Sequence, residues 1–147
     1  MHLMVKPGRR IMGRLKRGDD LLQTLEKLCL EQNITLGQVQ AIGAVSAARV
    51  GYYHQAAQRY EFLEWRQPLE ILALTGNISL KDGKPMVHAH VTLADADGRA
   101  VGGHLGPGAI VFAAEFIIQE HLADQTLMRQ MDLDTGLFLW PPEQFAD

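Results

Sequence analysis

At 147 residues, with 47% hydrophobic and 21% charged side chains, the chain has the size and composition of one globular domain with a core of its own. No stretch reaches the apolar length of a membrane-spanning helix, and a net charge of −3 excludes long-range attraction of the whole molecule to a polyanion, so nucleic-acid contact would need a local patch. The single Cys29 excludes an internal disulfide, and MHLMVKPGRR lacks the apolar block of a secretion signal, which predicts a cytoplasmic location.

In chain order, residues 1–8 read as an extension, 9–140 as a single domain and 141–147 as a tail. Residues 9–16, RRIMGRLK, alternate as an opening strand with Ile11 and Leu15 inward. Gly18-Asp19 turns the chain into a helix capped by Asp20, with Gln23 as capping-box partner. Leu21, Leu22, Leu25, Leu28 and Cys29 recur at helical spacing and predict a buried stripe, with Gln23, Glu26, Lys27 and Glu31 in water and a stop near Asn33. Cys29 in that stripe reads as a small core residue, not a nucleophile. Residues 35–45 and 47–54 are rich in glycine and alanine, which suggests strands that bend or approach a neighbour closely.

Residues 59–65 alternate around Tyr60 and Phe62. Tyr52, Tyr53 and Trp65 read as core rather than as pocket residues. Pro68 opens LEILALTGNISL, nearly continuous in its apolar half, which predicts a strand covered on both faces. Lys81-Asp82-Gly83-Lys84 is a hairpin turn.

It leads into MVHAHVTLADADGRAVGGHL, residues 86–105. Read with a period of two, Val87, Ala89, Val91 and Leu93 line one face of a strand, and Met86, His88, His90 and Thr92 the other. The turn that follows decides where His104 points. A two-residue loop at Asp97-Gly98 would set His104 across from Val91, on the apolar face. A three-residue loop closed by Gly98 at positive φ pairs Asp95 with Arg99 and brings His104 opposite His90. Glycine in the position that needs positive φ favours the second. The β-carbons of His90 and His104 would then lie roughly 4.5–5.5 Å apart, with His88 about 6.6 Å along the same face. From there three imidazoles can converge on one divalent ion, zinc above others, at about 2.0–2.1 Å per bond. The pair Gly102-Gly103 would let backbone or ligand come close.

After Gly106-Pro107-Gly108, AIVFAAEFIIQEHL reads as a long strand by its β-branched and aromatic content. Residues 127–131 and 136–140 give short elements, and Pro141-Pro142 ends the ordered chain. The sum is an α+β domain, a largely antiparallel sheet with one main amphipathic helix.

Two further groups stand out. Lys6, Arg9, Arg10, Arg14, Lys16 and Arg17 all precede the first acid, Asp19. They form a candidate nucleic-acid patch or, equally, the charged guard of an edge strand. Glu70 and Glu115 interrupt apolar runs and are candidates for a base or a supporting group beside the ion, or for salt bridges with Arg10 or Arg49. His2, His54 and His121 show no useful spacing.

The blocks GDDLLQTLEKL, AIGAVSAARVGYY, PLEILALTGNISLKDGKPMVHAHVTLADADGRAVGGHL and AEFII, in that order, resemble the PPC domain. This is the plants and prokaryotes conserved domain, also the main body of plant AT-hook nuclear proteins, and the likeness runs from about Arg10 to Trp140. It implies an α+β fold assembled as a homotrimer. Prokaryotic members carry the HxH and GGH pattern matched by His88, His90 and His104, which implies a bound metal there, most often zinc. Plant members keep the sheet and lack these histidines, so the resemblance implies that the fold does not need the ion. The plant segment Gly-Arg-Phe-Glu-Ile-Leu, tied to partner contact, corresponds to residues 67–72, where Glu70 is unchanged and the first three differ. The AT-hook that grips DNA in plant members has no counterpart in this sequence. Two functions follow: a regulatory trimer that contacts DNA or another protein, or a metal-dependent small-molecule binder or hydrolase-type enzyme using the open position on the ion.

Overall fold

The computed structural model describes residues 1–145; residues 146–147 of the expected tail lie outside the described residues. Seven strands, β1 (Lys6–Leu15), β2 (Gly37–His54), β3 (Arg59–Trp65), β4 (Leu69–Lys81), β5 (Lys84–Ala94), β6 (Ala100–Leu105) and β7 (Ile110–Leu122), form one antiparallel sheet in the order β1-β7-β2-β4-β5-β6, with β3 beside β2. β2 serves two neighbourhoods. Its first part pairs with β4 and β7, its last part with β3 and, at Val50 and Gly51, with β6. Since β6 also pairs with β5, strands β2, β4, β5 and β6 close into a ring. The segments 35–45 and 47–54 are therefore one bent strand, and the bend falls at register shifts between Ala41 and Ala47. The opening strand begins at Lys6, inside the expected extension, and stops at Leu15.

The helix α1 (Leu21–Glu31) forms where the apolar spacing places it. Asp20 Oδ1 accepts from the Gln23 amide at 3.0 Å, and its Oδ2 accepts from the Gly108 amide at 2.6 Å, so one side chain caps the helix and pins the loop before β7. A cap of this kind contributes about 1 kcal/mol, whereas each fully buried leucine contributes about 2 kcal/mol. Packing, not the cap, holds the helix. Leu21, Leu22, Leu25 and Cys29 are buried against Val39, Ile78, Val87, Leu93 and Ile118 on the inward face of the sheet. Burial pushes the Cys29 thiol up to about 12, which leaves it inert. Glu26 departs from the expected wet face: it is half-buried, and its carboxylate accepts from the Val87 amide at 3.2 Å.

β4 corrects a second expectation. Leu69, Ile71 and Leu74 are buried, but Leu72 is 53% exposed, so this part of the strand is covered on one face only. At the other end a C-terminal segment covers the outer face. Leu80 donates its amide to the Leu127 carbonyl at 3.1 Å and accepts from the Arg129 amide at 2.7 Å. The ribbon β8 (Gln130–Asp132) and β9 (Leu137–Leu139) follows, and the Trp140 indole donates to Ser79 Oγ at 2.9 Å. Order does not end at Pro141-Pro142. A 3-10 turn at Pro142–Gln144 carries Gln144, which accepts from the Met128 amide at 2.8 Å and donates to the Met128 carbonyl at 3.0 Å.

Candidate metal centre

The hairpin between β5 and β6 takes the three-residue form. Ala94 pairs with Ala100, the Asp95 amide donates to the Arg99 carbonyl at 3.1 Å, the Gly98 amide donates to the Asp95 carbonyl at 2.9 Å, and Gly98 sits at φ 77°. His90 consequently faces His104 across the pair. Val87, Ala89, Val91 and Leu93 are all buried on the opposite face. The glycine pair serves backbone approach. A Cβ at Gly102 would lie 2.3 Å from the Val91 carbonyl oxygen, and one at Gly103 would lie 2.6 Å from that of Gly51. Any side chain there would push β6 off both neighbours.

One nitrogen from each of His88, His90 and His104 lies within 4.8 Å of the others. Nitrogens on a tetrahedral ion with bonds of 2.0–2.1 Å are about 3.3 Å apart, so small ring rotations close the set. Burial, with the Arg129 charge and the neighbouring imidazoles, lowers His88 to about 4. Burial, with His90 and Arg129, lowers His104 to about 4. Both rings are thus neutral at pH 7, the form that can ligate. His104 Nδ1 is buried with no hydrogen-bond partner among the described residues, and the ring stacks on Tyr60 at 4.8 Å between centroids. The residues therefore fit a divalent ion of nitrogen preference, with a coordination position left open.

Register builds the surroundings. Across the sheet His88 pairs with Asn77, Asn77 with Gln38 and Gln38 with Gln119, while His90 pairs with Thr75 and Thr75 with Gln40. A cleft of about 750 Å³ opens here, lined among others by His88, His90, Asn77, Gln38, His121 and Trp140. His2 and His121, assigned no role from spacing, both border it. The signal for Asn77 and Gln38 lay in the alternation of their own strands, which sets polar residues on the histidine face; nothing in the sequence pointed to His121, which β7 brings in from far along the chain.

The other candidates are not gathered at the cleft. Glu70 pairs with Ala44 and Ala94 at the far end of β4. Glu115 is exposed rather than a buried paired carboxylate, and faces Arg14 and Ile42. Neither forms an ion pair with Arg10 or Arg49; Arg49 lies 3.7 Å from Glu64 and stacks on Phe62. The basic cluster is split. Arg9 is committed to Glu120 at 2.7 Å, a contact that holds the Glu120 carboxyl down to about 2. Arg17 stacks on Phe112, and Arg10 and Arg14 face Gln119 and Glu115. Tyr52 is exposed rather than core, Trp65 packs against the core, and His54 bonds Glu61 at 2.6 Å.

Comparison with known proteins places this geometry among relatives. A metal-containing protein from Archaeoglobus fulgidus superposes with a TM-score of 0.90 at 40% identity, covering 96% of this chain and 99% of that one. A plant- and prokaryote-conserved (PPC) protein of Pyrococcus horikoshii gives 0.88 at 33% identity, covering 94% of each. A candidate DNA-binding protein of Ralstonia eutropha JMP134 gives 0.78 at 29% identity over 88% of this chain and 89% of that one. In sequence the chain is also 37% identical over 135 residues to the bifunctional protein GlmU of Synechococcus sp. strain JA-3-3Ab, covering 91% of itself and a fifth (20%) of that relative's length. The model of the Plants and Prokaryotes Conserved (PCC) domain matches residues 3–122, and with the hairpin, the glycine pair and the ring of strands in place the chain belongs to that family.

Proposed function

We propose that this chain is a metal-binding PCC module that holds one divalent ion, zinc by preference, on His88, His90 and His104. The observation that carries the reading is the convergence of three imidazole nitrogens within 4.8 Å at an open cleft. An all-imidazole set suits zinc or its nitrogen-preferring neighbours rather than calcium or magnesium. When bound, such an ion supplies Lewis acidity and lowers the pKa of a coordinated water to about 7. Among the described residues no aspartate or glutamate borders the cleft, so none of them supplies the carboxylate base a hydrolase would use, and we place binding ahead of catalysis. The metal-containing relative from A. fulgidus supports the reading. The occurrence of a similar segment within a much longer bifunctional protein supports an accessory module. Metal analysis of untagged protein tests it: about one ion per chain in the wild type, and loss in His88→Ala and in His104→Ala. Equal content in all three would falsify the site.

We further propose a homotrimer in the cytoplasm. An interface is supported by an apolar outer face, where Met12, Ile42 and Leu72 are 69%, 58% and 53% exposed and a second copy would cover them; the three-fold count follows the family likeness. No helix among the described residues is long and apolar enough to cross a membrane.

DNA contact is the second reading. The Ralstonia relative favours it, and Arg10, Arg14, Lys16 and Arg17 would supply the phosphate contacts. The commitment of Arg9 to Glu120 and the net charge of −3 weigh against it. A gel-shift titration across salt decides, since phosphate contacts impose a steep loss of affinity as salt rises; no shift at low salt removes the reading.

A further inference from the structure

Resting on the metal reading above, the geometry points to a small oxyanion, carboxylate or phosphate, as the ligand of the open position, with one oxygen on the ion and another on the amide of Asn77. Among the described residues no carboxylate borders the cleft. A 2+ ion on three neutral imidazoles keeps its full charge, and a lining with no acid among the described residues leaves that charge for the ligand to neutralise.

Arg129 adds a second positive charge. It is 5% exposed, yet among the described residues its guanidinium meets no acid. Its three hydrogen bonds go to neutral acceptors: Ser79 Oγ at 3.0 Å, the Phe138 carbonyl at 3.1 Å and Asn77 Oδ1. The Trp140 ring lies against it at 4.9 Å. A buried cation with no counter-charge is costly, and this one bonds Asn77, the cross-strand neighbour of His88. A protein that places it there gains when an anion arrives.

Arg129 also sets the amide. Because Asn77 Oδ1 accepts from the guanidinium, the Asn77 NH2 group is turned away from it. Asn77 borders the cleft and is the cross-strand neighbour of His88. That NH2 group meets no acceptor among the described residues and belongs to a residue on the histidine face, where a neutral nitrogen ligand would have no use for it and an oxyanion would.

The test uses the full chain loaded with cobalt(II), whose visible absorption reports a change of ligand. Acetate, inorganic phosphate and neutral 1,2,4-triazole are titrated separately. Acetate or phosphate should shift the spectrum to saturation, and which of them binds tighter distinguishes a carboxylate from a phosphate source. Triazole should bind at least tenfold more weakly than the tighter anion. Arg129→Met should weaken the anion at least tenfold with cobalt content unchanged. Asn77→Asp, which keeps a partner for Arg129 and supplies the missing carboxylate, should abolish anion binding even if Arg129→Met fails to fold. Triazole binding as tightly as the anions, or anion affinity unchanged in Asn77→Asp, overturns the inference. Failure of the wild type to take up cobalt instead overturns the metal reading beneath it.

Discussion

At the scale of single residues the three histidines differ in setting. His90 is exposed, whereas His88 and His104 are held to about 4 by burial. Protons therefore compete for these two half-buried rings near pH 4 rather than near 6.5. We predict that metal binding displaces no more than one proton between pH 7 and 5 and more below, read by competitive chelator titration across pH; displacement of two or three protons at pH 6 would contradict the burial argument. The sign for stability follows from linkage. In the ion-free chain the unfolded imidazoles take up protons below 6.5 and the folded ones only near 4, so folding stability declines as pH falls through that window, visible as a lower urea midpoint at pH 5 than at pH 7. The convergence of the three rings was legible from the pleat and from one glycine. The polar faces that carry Asn77 and Gln38 showed in the alternation of their strands, but their place beside the histidines, like that of Arg129, did not, because it depends on pairings between distant strands and on a C-terminal segment with weak periodicity.

At the scale of elements, two glycines of the same hairpin make a controlled comparison. Gly98 lies at φ 77° with open space around it, so Gly98→Ala costs about 1–2 kcal/mol of strain and should leave metal content intact. Gly102 abuts the Val91 carbonyl, so Gly102→Ala must displace β6 and carry His104 out of line. We expect at least a tenfold loss of metal affinity, with a stability loss of about 1–3 kcal/mol, measured by metal titration and thermal melting. Equal metal affinity in the two variants would show that strand contact does not set the ligand. The helix and its buried stripe were legible from the leucine spacing; the half-buried Glu26 was not, because its partner, the Val87 amide, lies on a distant strand. The exposed side of β4 was not, because LEILALT reads as doubly buried by composition, and only register shows that Leu72 and Ala73 face outward where no element of the same chain covers them.

For the whole molecule, the ring of strands confines the helix and core to one side and leaves the other to the histidine cleft and the apolar patch. Ile42→Glu sits on that patch and away from the core, so it should leave the fold and metal content unchanged while shifting the proposed trimer to monomer in analytical ultracentrifugation. A trimer that survives it would move the interface elsewhere. The likeness to the PCC family was carried by local blocks of sequence and could be read early. The split of the basic cluster could not, since Arg9 meets Glu120 only across the β1–β7 pair.

The stitching of β6 on both flanks, to β5 at His90 and to β2 at Gly51, has a kinetic corollary. His104 is fastened without an ion, so uptake at the proposed site should need no closing loop. Chelation should accordingly strip the centre without loosening the amides of Val101 to Leu105 in deuterium exchange. On the proposed reading the centre is a rigid socket, not a clasp.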